Sequence, residues 1–435
     1  MDVSTLFESL IADFHERSFP TATRRDAAPP GLPGKIDVLI GMRRSGKSWR
    51  MAQAMADLVA AGVPKTRLLH VNFDDERLRA LQTADLQRLP EAFFRLHPGH
   101  KHARCHFFLD EIQNVPGWDA FVRRLLDTEN VQLMLTGSSA RLLSREIAST
   151  LRGRSLATEI FPFSFAEALR HQGADDSPAE TAGAARRALL SNALRGYLGA
   201  GGFPEVQGLP AHLRVAVLQE YVDVVILRDV VERHGVSNVT ALRHLIRRLL
   251  GAPATAFSVH RFHNDLQARG VACGKNALHE MLAHLEDAYL VQAVDIDTRS
   301  ERQRQVNPRK VYPIDTGLAQ AFRAGPDADR GRLLETLVCL DLRRRGCEIA
   351  WLRTAEGYEI DFVARPAEGP PLLVQACESL ADPATREREL RALRAAMRER
   401  GVAAGTIVTL DEDERIESDE GTVRVEPAWR WLLRR

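Results

Sequence analysis

The sequence predicts an α/β protein of several domains, led by a parallel-sheet core with a phosphate-binding loop. Three observations carry that expectation. The apolar run Ile36-Asp37-Val38-Leu39-Ile40 feeds into Gly41-Met42-Arg43-Arg44-Ser45-Gly46-Lys47-Ser48 and then into a helical pattern opening at Trp49. A second apolar strand, Cys105-His106-Phe107-Phe108-Leu109, ends in the acid pair Asp110-Glu111. At 435 residues the chain exceeds the roughly 250–300 that a single core usually serves.

The first motif has the spacing of a P-loop. Gly41 and Gly46 let the backbone curl around an anion, so that successive N–H groups point at the β- and γ-phosphates. Lys47 supplies the countercharge, and Ser48 is expected to place its hydroxyl on a Mg²⁺ where the helix dipole also favours phosphate. The expected nucleotide-binding stretch is Gly41, Met42, Arg43, Arg44, Ser45, Gly46, Lys47, Ser48 and Trp49. On the acidic strand, Asp110 is expected to hold Mg²⁺ through water and Glu111 to polarise the attacking water.

The next apolar run, Gln132 to Thr136, leads to Gly137-Ser138-Ser139. Ser138 is the candidate to orient that water, although a serine at such a junction also serves as a helix cap. Leu151-Arg152-Gly153-Arg154 follows, an arginine pair suited to reach a neighbouring subunit's γ-phosphate, with Arg154 the stronger candidate and Arg152 the second. A surface ion pair is the alternative.

Composition narrows the partners. Lys and Arg number 59 against 58 Asp and Glu, a net charge of +1, so any polyanion-binding surface must be local. Five scattered cysteines without CxxC spacing indicate neither a disulfide frame nor a zinc site, and a reducing cytoplasm is expected. The first twenty residues mix acids among apolar side chains, unlike a signal peptide, and no apolar run reaches the length of a membrane span.

Together GMRRSGKS, the LDEIQ of Leu109 to Gln113, LTGSSA, LRGR and FPFSF resemble the bacterial and archaeal AAA+ ATPases whose C-terminal region is catalogued only as a domain of unknown function. Gly201-Gly202-Phe203-Pro204-Glu205, Leu227-Arg228-Asp229, Val311 to Leu318 and Glu359-Ile360-Asp361-Phe362 extend the resemblance over nearly the whole chain. It implies ATP binding, hydrolysis and a helical lid over the nucleotide; with the Mg²⁺ ligands and the arginine pair read above, the expected cofactors are ATP and Mg²⁺ and the expected assembly is a homo-oligomer with an arginine finger in trans. The expected organisation is an N-terminal helix and linker (1–34), an AAA+ core (35–163), a helical lid (164–235), a winged helix (236–312) and an α/β restriction-endonuclease-like domain (313–435).

In the winged-helix region, Leu278, Met281, Leu282 and Leu285 form the apolar face of a third helix and leave Lys275, Asn276 and His279 toward solvent. Recognition helices put such N-terminal residues on base edges. Arg299, Arg302, Arg304, Arg309 and Lys310 form a local basic loop suited to phosphates, opposed only by Glu301. Against deep groove insertion stand Glu280, Glu286 and Asp287, and winged helices also bind proteins.

The last region resembles a nuclease frame. Glu335 and Asp361 match two of its acids, but Gln375 and Cys377 stand where an acid and a lysine are required, and no lysine follows Lys310. A degenerate site without its catalytic cation is expected. The functional expectation is a Mg²⁺-dependent ATPase coupled to binding or remodelling of DNA, duplex or branched, such as Holliday junctions. The alternative is an ATP-gated switch that holds a protein partner.

Overall fold

The computed structural model describes residues 2–137, 153–179, 182–323 and 329–434. The chain divides into two compact units, 1–161 and 162–435.

The first unit is built on a parallel five-stranded sheet in the order β2-β3-β4-β1-β5. Its strands are β1 (Ile36–Ile40), β2 (Leu68–Asn72), β3 (Cys105–Asp110), β4 (Val131–Thr136) and β5 (Ser155–Glu159). A parallel sheet is covered on both faces and selects continuous apolar strands, and β1 is buried at all five positions. Its one polar residue, Asp37, accepts the Gly31 N–H at 3.1 Å. The helices are α1 (Val3–Glu16), α2 (Lys47–Ala60), α3 (Arg88–Leu96) and α4 (Trp118–Thr128). Because the strands are parallel, β1, β3 and β4 end at the same edge, which is where such sheets gather their ligand-binding residues.

The segment expected as a separate N-terminal piece belongs to this unit. Phe7 and Ile11 of α1 are fully buried, and α1 packs on α3 and β2. The Arg25 guanidinium donates to the carbonyls of Ser45 at 2.8 Å and Phe161 at 2.5 Å. Arg50 donates to the Ala27 carbonyl at 2.5 Å. A polar, proline-rich stretch reads as a linker, but here it is strapped to the phosphate loop by the Arg25 side chain and to α2 by its backbone.

The second unit begins with helices at Phe165–His171, Ala184–Ala200 and Ala211–Val224, the last running into a π-helical stretch, Val225–Val231. Their apolar spacing told that they are buried, not against what. Leu190, Leu194 and Tyr197 share a core with Leu334, Leu337 and Trp429, so much of the segment expected as a lid is built into the C-terminal core.

Three further helices, Val239–Gly251, Val259–Ala268 and Lys275–Asp287, accompany a small antiparallel sheet. Its strands β6 (Thr255–Phe257), β7 (Val291–Val294) and β8 (Arg309–Pro313) run in the order β6-β8-β7. Where a basic loop was expected between β7 and β8, Ser300 caps a short helix, Glu301–Val306.

The C-terminal sheet has the order β13-β14-β12-β11-β10-β9. Its strands are β9 (Glu348–Arg353), β10 (Glu359–Arg365), β11 (Leu372–Ala376), β12 (Ala404–Thr409), β13 (Glu414–Ser418) and β14 (Gly421–Pro427). Helix Arg330–Arg344 contributes to one apolar core of this sheet and helix Pro383–Arg400 to another.

One junction ties the unit together. The buried Asp315 carboxylate accepts N–H bonds from Gly317 at 2.9 Å, Leu318 at 3.3 Å and Gly202 at 2.6 Å. Gly201 has φ +73°, and a Cβ on Gly202 would lie 2.1 Å from the Phe163 carbonyl oxygen. The Gly201-Gly202 break is therefore a packed knot.

Candidate functional site

The P-loop joins the end of β1 to α2. Gly41 has φ +140° and Gly46 has φ +100°, left-handed conformations that glycine adopts at little cost, and Arg44 has φ +65°. A Cβ on Gly41 would lie 2.3 Å from the Ile160 carbonyl oxygen, so the loop passes too close to its neighbour for any side chain. Met42 and Ser45 are buried, Arg43 is half-buried, and Ser48 and Trp49 are exposed. Lys47 folds its ammonium back onto the carbonyls of Gly41 at 3.0 Å and Met42 at 3.1 Å. The Ser45 hydroxyl is buried without a hydrogen-bond partner. A loop curled around its own lysine with an unsatisfied donor has the composition of an anion cradle.

Asp110 ends β3 and is buried. Glu111 follows with φ +53°, a strained conformation for a glutamate and of the kind that collects at active sites. Burial, partly opposed by the Lys47 charge, pushes the Glu111 carboxyl above its ordinary range. Gln113 donates a side-chain hydrogen bond to it. A cavity of about 350 Å³ is lined by Ser48 and Asp110 together with Phe14, Arg17, His70 and Asn72. The two expected Mg²⁺ ligands, far apart in sequence, thus face one space. A hydroxyl and a carboxylate beside an anion cradle suit a hard, oxygen-seeking cation.

Two residues of this site escaped sequence reasoning. Thr136, at the end of β4, is fully buried, donates its hydroxyl to Asp110 and accepts the Glu111 N–H at 3.0 Å. Parallel pairing of β3 with β4 brings it there, and its place at the end of an apolar strand was the available signal. Arg25 had no signal, since its partners are backbone carbonyls.

Ser138 and Arg152 lie outside the described residues. Arg154 precedes β5, and its carbonyl accepts the Ile36 N–H at 2.8 Å. That contact puts Arg154 at the edge of the sheet opposite the P-loop, a strand length of roughly 16 Å away. Its guanidinium pairs with Asp127 on the surface.

Among the expected nucleic-acid residues, Lys275, Asn276 and His279 are exposed at the start of their helix, and Arg299, Arg302 and Arg304 are exposed as well. Arg304 pairs with Glu301 at 3.4 Å. Arg309 is half-buried and pairs with Glu286 at 3.3 Å, so Glu301 is not the only acid opposing this group. Lys310 is a correction. Strand β8 is the central strand of its sheet and is buried from Lys310 to Pro313, and the Lys310 ammonium meets Glu335 at 3.0 Å, Glu359 at 2.8 Å and Asp361 at 2.9 Å. The residue expected to touch phosphate is 4% exposed. The expectation that no lysine reaches the nuclease-like frame is corrected by the same contacts.

A P-loop between a buried strand and a helix, facing an acid pair on a second strand of a parallel 5-1-4-3-2 sheet, defines the first unit as an AAA-type P-loop ATPase fold. Residues 33–169 match the family model described as an AAA domain. Residues 191–329 match one described as a domain of unknown function, DUF8612. Uncharacterized protein MJ1544 of Methanocaldococcus jannaschii is 32% identical over 444 residues, spanning 100% of this chain and 96% of that protein. An uncharacterized protein of Haemophilus influenzae is 30% identical over 335 residues, spanning 77% and 80%. Among solved structures, the Walker-type ATPase PABY2304 of Pyrococcus abyssi shares 13% identity at a TM-score of 0.43, over 74% of this chain and 95% of that one. The chain belongs to the family of the uncharacterized protein MJ1544, and its residues 33–169 are an AAA-type P-loop domain.

Proposed function

We propose that this chain binds ATP with Mg²⁺ at Gly41–Trp49 and hydrolyses it. The supporting observation is the convergence of the Lys47 cradle with Asp110, Glu111 and Thr136 at one sheet edge. Lys47 would leave the Gly41 and Met42 carbonyls for the β- and γ-phosphates, and the N–H groups of the loop would take the remaining phosphate oxygens. Ser48 and Asp110 would hold Mg²⁺, which when bound neutralises charge on the transferring phosphate. Glu111, fixed by its backbone bond to Thr136 and by Gln113, orients the lytic water and draws on its proton. Arg154, distant from its own P-loop, is proposed to complete the site of a neighbouring copy.

The proposed coupling is to DNA, through Lys275, Asn276 and His279 and the exposed Arg299, Arg302 and Arg304. A second reading, an ATP-gated switch that holds a protein partner, is favoured by the loss of Lys310 and the pairing of Arg309 from that surface. Steady-state ATP turnover with no DNA, duplex, single strand or a four-way junction separates them. Stimulation by one DNA form supports coupling to DNA. A rate indifferent to all of them supports the switch.

A further inference from the structure

In a two-carboxylate nuclease frame the divalent cation sits between the acids. Between Glu335 and Asp361 of this chain sits the ammonium of Lys310, at 3.0 and 2.9 Å, with Glu359 closing a third side at 2.8 Å. The side chains of Lys310, Glu335 and Asp361 are 5%, 11% and 14% exposed, and Glu359, at 46%, lies on the open side of the cluster.

Further hydrogen bonds from within the chain hold the cluster. Tyr312 donates its hydroxyl to Glu335 at 2.8 Å. The second oxygen of Asp361 accepts the Ala376 N–H at 3.0 Å. Gln375 accepts the Asp361 N–H at 2.7 Å and donates to Glu389 at 2.6 Å. That two-way bonding needs one acceptor and one donor, which an amide has and an ionised carboxylate lacks. Gln375 is therefore matched to a frame that keeps its shape without a metal. The nuclease metal does not fit these residues as they stand.

We infer that the Lys310 ammonium is a built-in cation, occupying the place of the divalent metal and pinning β8 to β10 and to helix Arg330–Arg344. The C-terminal sheet is then a non-cleaving frame, locked to the three-helix domain by a charge the chain carries itself. This inference does not depend on the P-loop reading.

The test uses the full-length chain without nucleotide, in chelator-treated buffer with or without about 1 mM Mn²⁺, read by thermal melting. The wild type is expected to melt at the same temperature with and without Mn²⁺. Lys310→Met leaves three carboxylates facing one another and is expected to melt on the order of 10 °C lower. Mn²⁺ is expected to restore part of that loss, and adding Asp361→Asn to abolish the restoration. A Lys310→Met chain that melts like the wild type, or ignores Mn²⁺, overturns the inference. If Lys310→Met does not fold, the wild type is compared with Asp361→Asn by Mn²⁺ binding and by cleavage of plasmid DNA. No difference between them supports the built-in cation. A Mn²⁺ site or a cleavage activity that vanishes in Asp361→Asn overturns it.

Discussion

At the scale of single residues, the chemistry concentrates on Lys47, Asp110, Glu111 and Thr136. Lys47→Ala removes the only lysine of the cradle, and nucleotide affinity is expected to fall by at least about 100-fold in equilibrium binding, the weight of a lost charge-assisted contact. Thr136→Val keeps the shape of a fully buried side chain but deletes the hydroxyl between Asp110 and Glu111. Turnover is expected to drop about tenfold or more while ATP still binds, because the lost contact positions the water-polarising acid. Unchanged turnover in this variant would remove Thr136 from the site. The P-loop and the acid pair were legible because phosphate chemistry fixes both residue type and spacing within a few positions. Thr136 was not, because only strand register brings it to Asp110.

At the scale of elements, the Asp315 knot holds the 201–202 turn against the start of helix Thr316–Ala321. Gly202→Ala is expected to destabilise the second unit by about 2–4 kcal/mol in chemical denaturation, because the clash is with backbone rather than a movable side chain. Burial pushes the Asp315 carboxyl up to about 6, despite the three N–H bonds that oppose the shift. A folded pKa above the unfolded one means that the native state binds the proton more tightly. Stability from this group is therefore present below about pH 4 and lost as pH rises through about 6, a change of roughly 2–3 kcal/mol. Asp315→Asn is expected to flatten that part of the stability profile, and an unaltered slope would assign the titration elsewhere. Sequence periodicity placed most of these helices, but not their partners. Lys310 shows the limit most clearly: in a run of basic residues it reads as phosphate-binding, whereas the central, buried position of β8 brings it to acids from a later stretch of the chain.

At the scale of the whole molecule, the class of protein was readable and the coupling was not. The strand order and the phosphate loop follow from local patterns, whereas the use made of the ATPase depends on surfaces whose residues also form ordinary ion pairs. For DNA coupling, Arg302→Ala with Arg304→Ala is expected to weaken duplex binding and lower the slope of log affinity against log salt by about 1–2. An unchanged slope would place any phosphate contacts on another surface.

The central claim is that the P-loop edge of the first unit hydrolyses ATP through Glu111. Its most direct test is the steady-state ATPase rate of wild type and Glu111→Gln in Mg²⁺, with nucleotide binding followed in parallel by the fluorescence of Trp49. That indole is 49% exposed beside the loop. The prediction is a Mg²⁺-dependent wild-type rate, reduced about 100-fold or more in Glu111→Gln, with the fluorescence response to ATP retained in both. Undiminished turnover in Glu111→Gln, or a wild type that binds ATP without hydrolysing it, would contradict the claim.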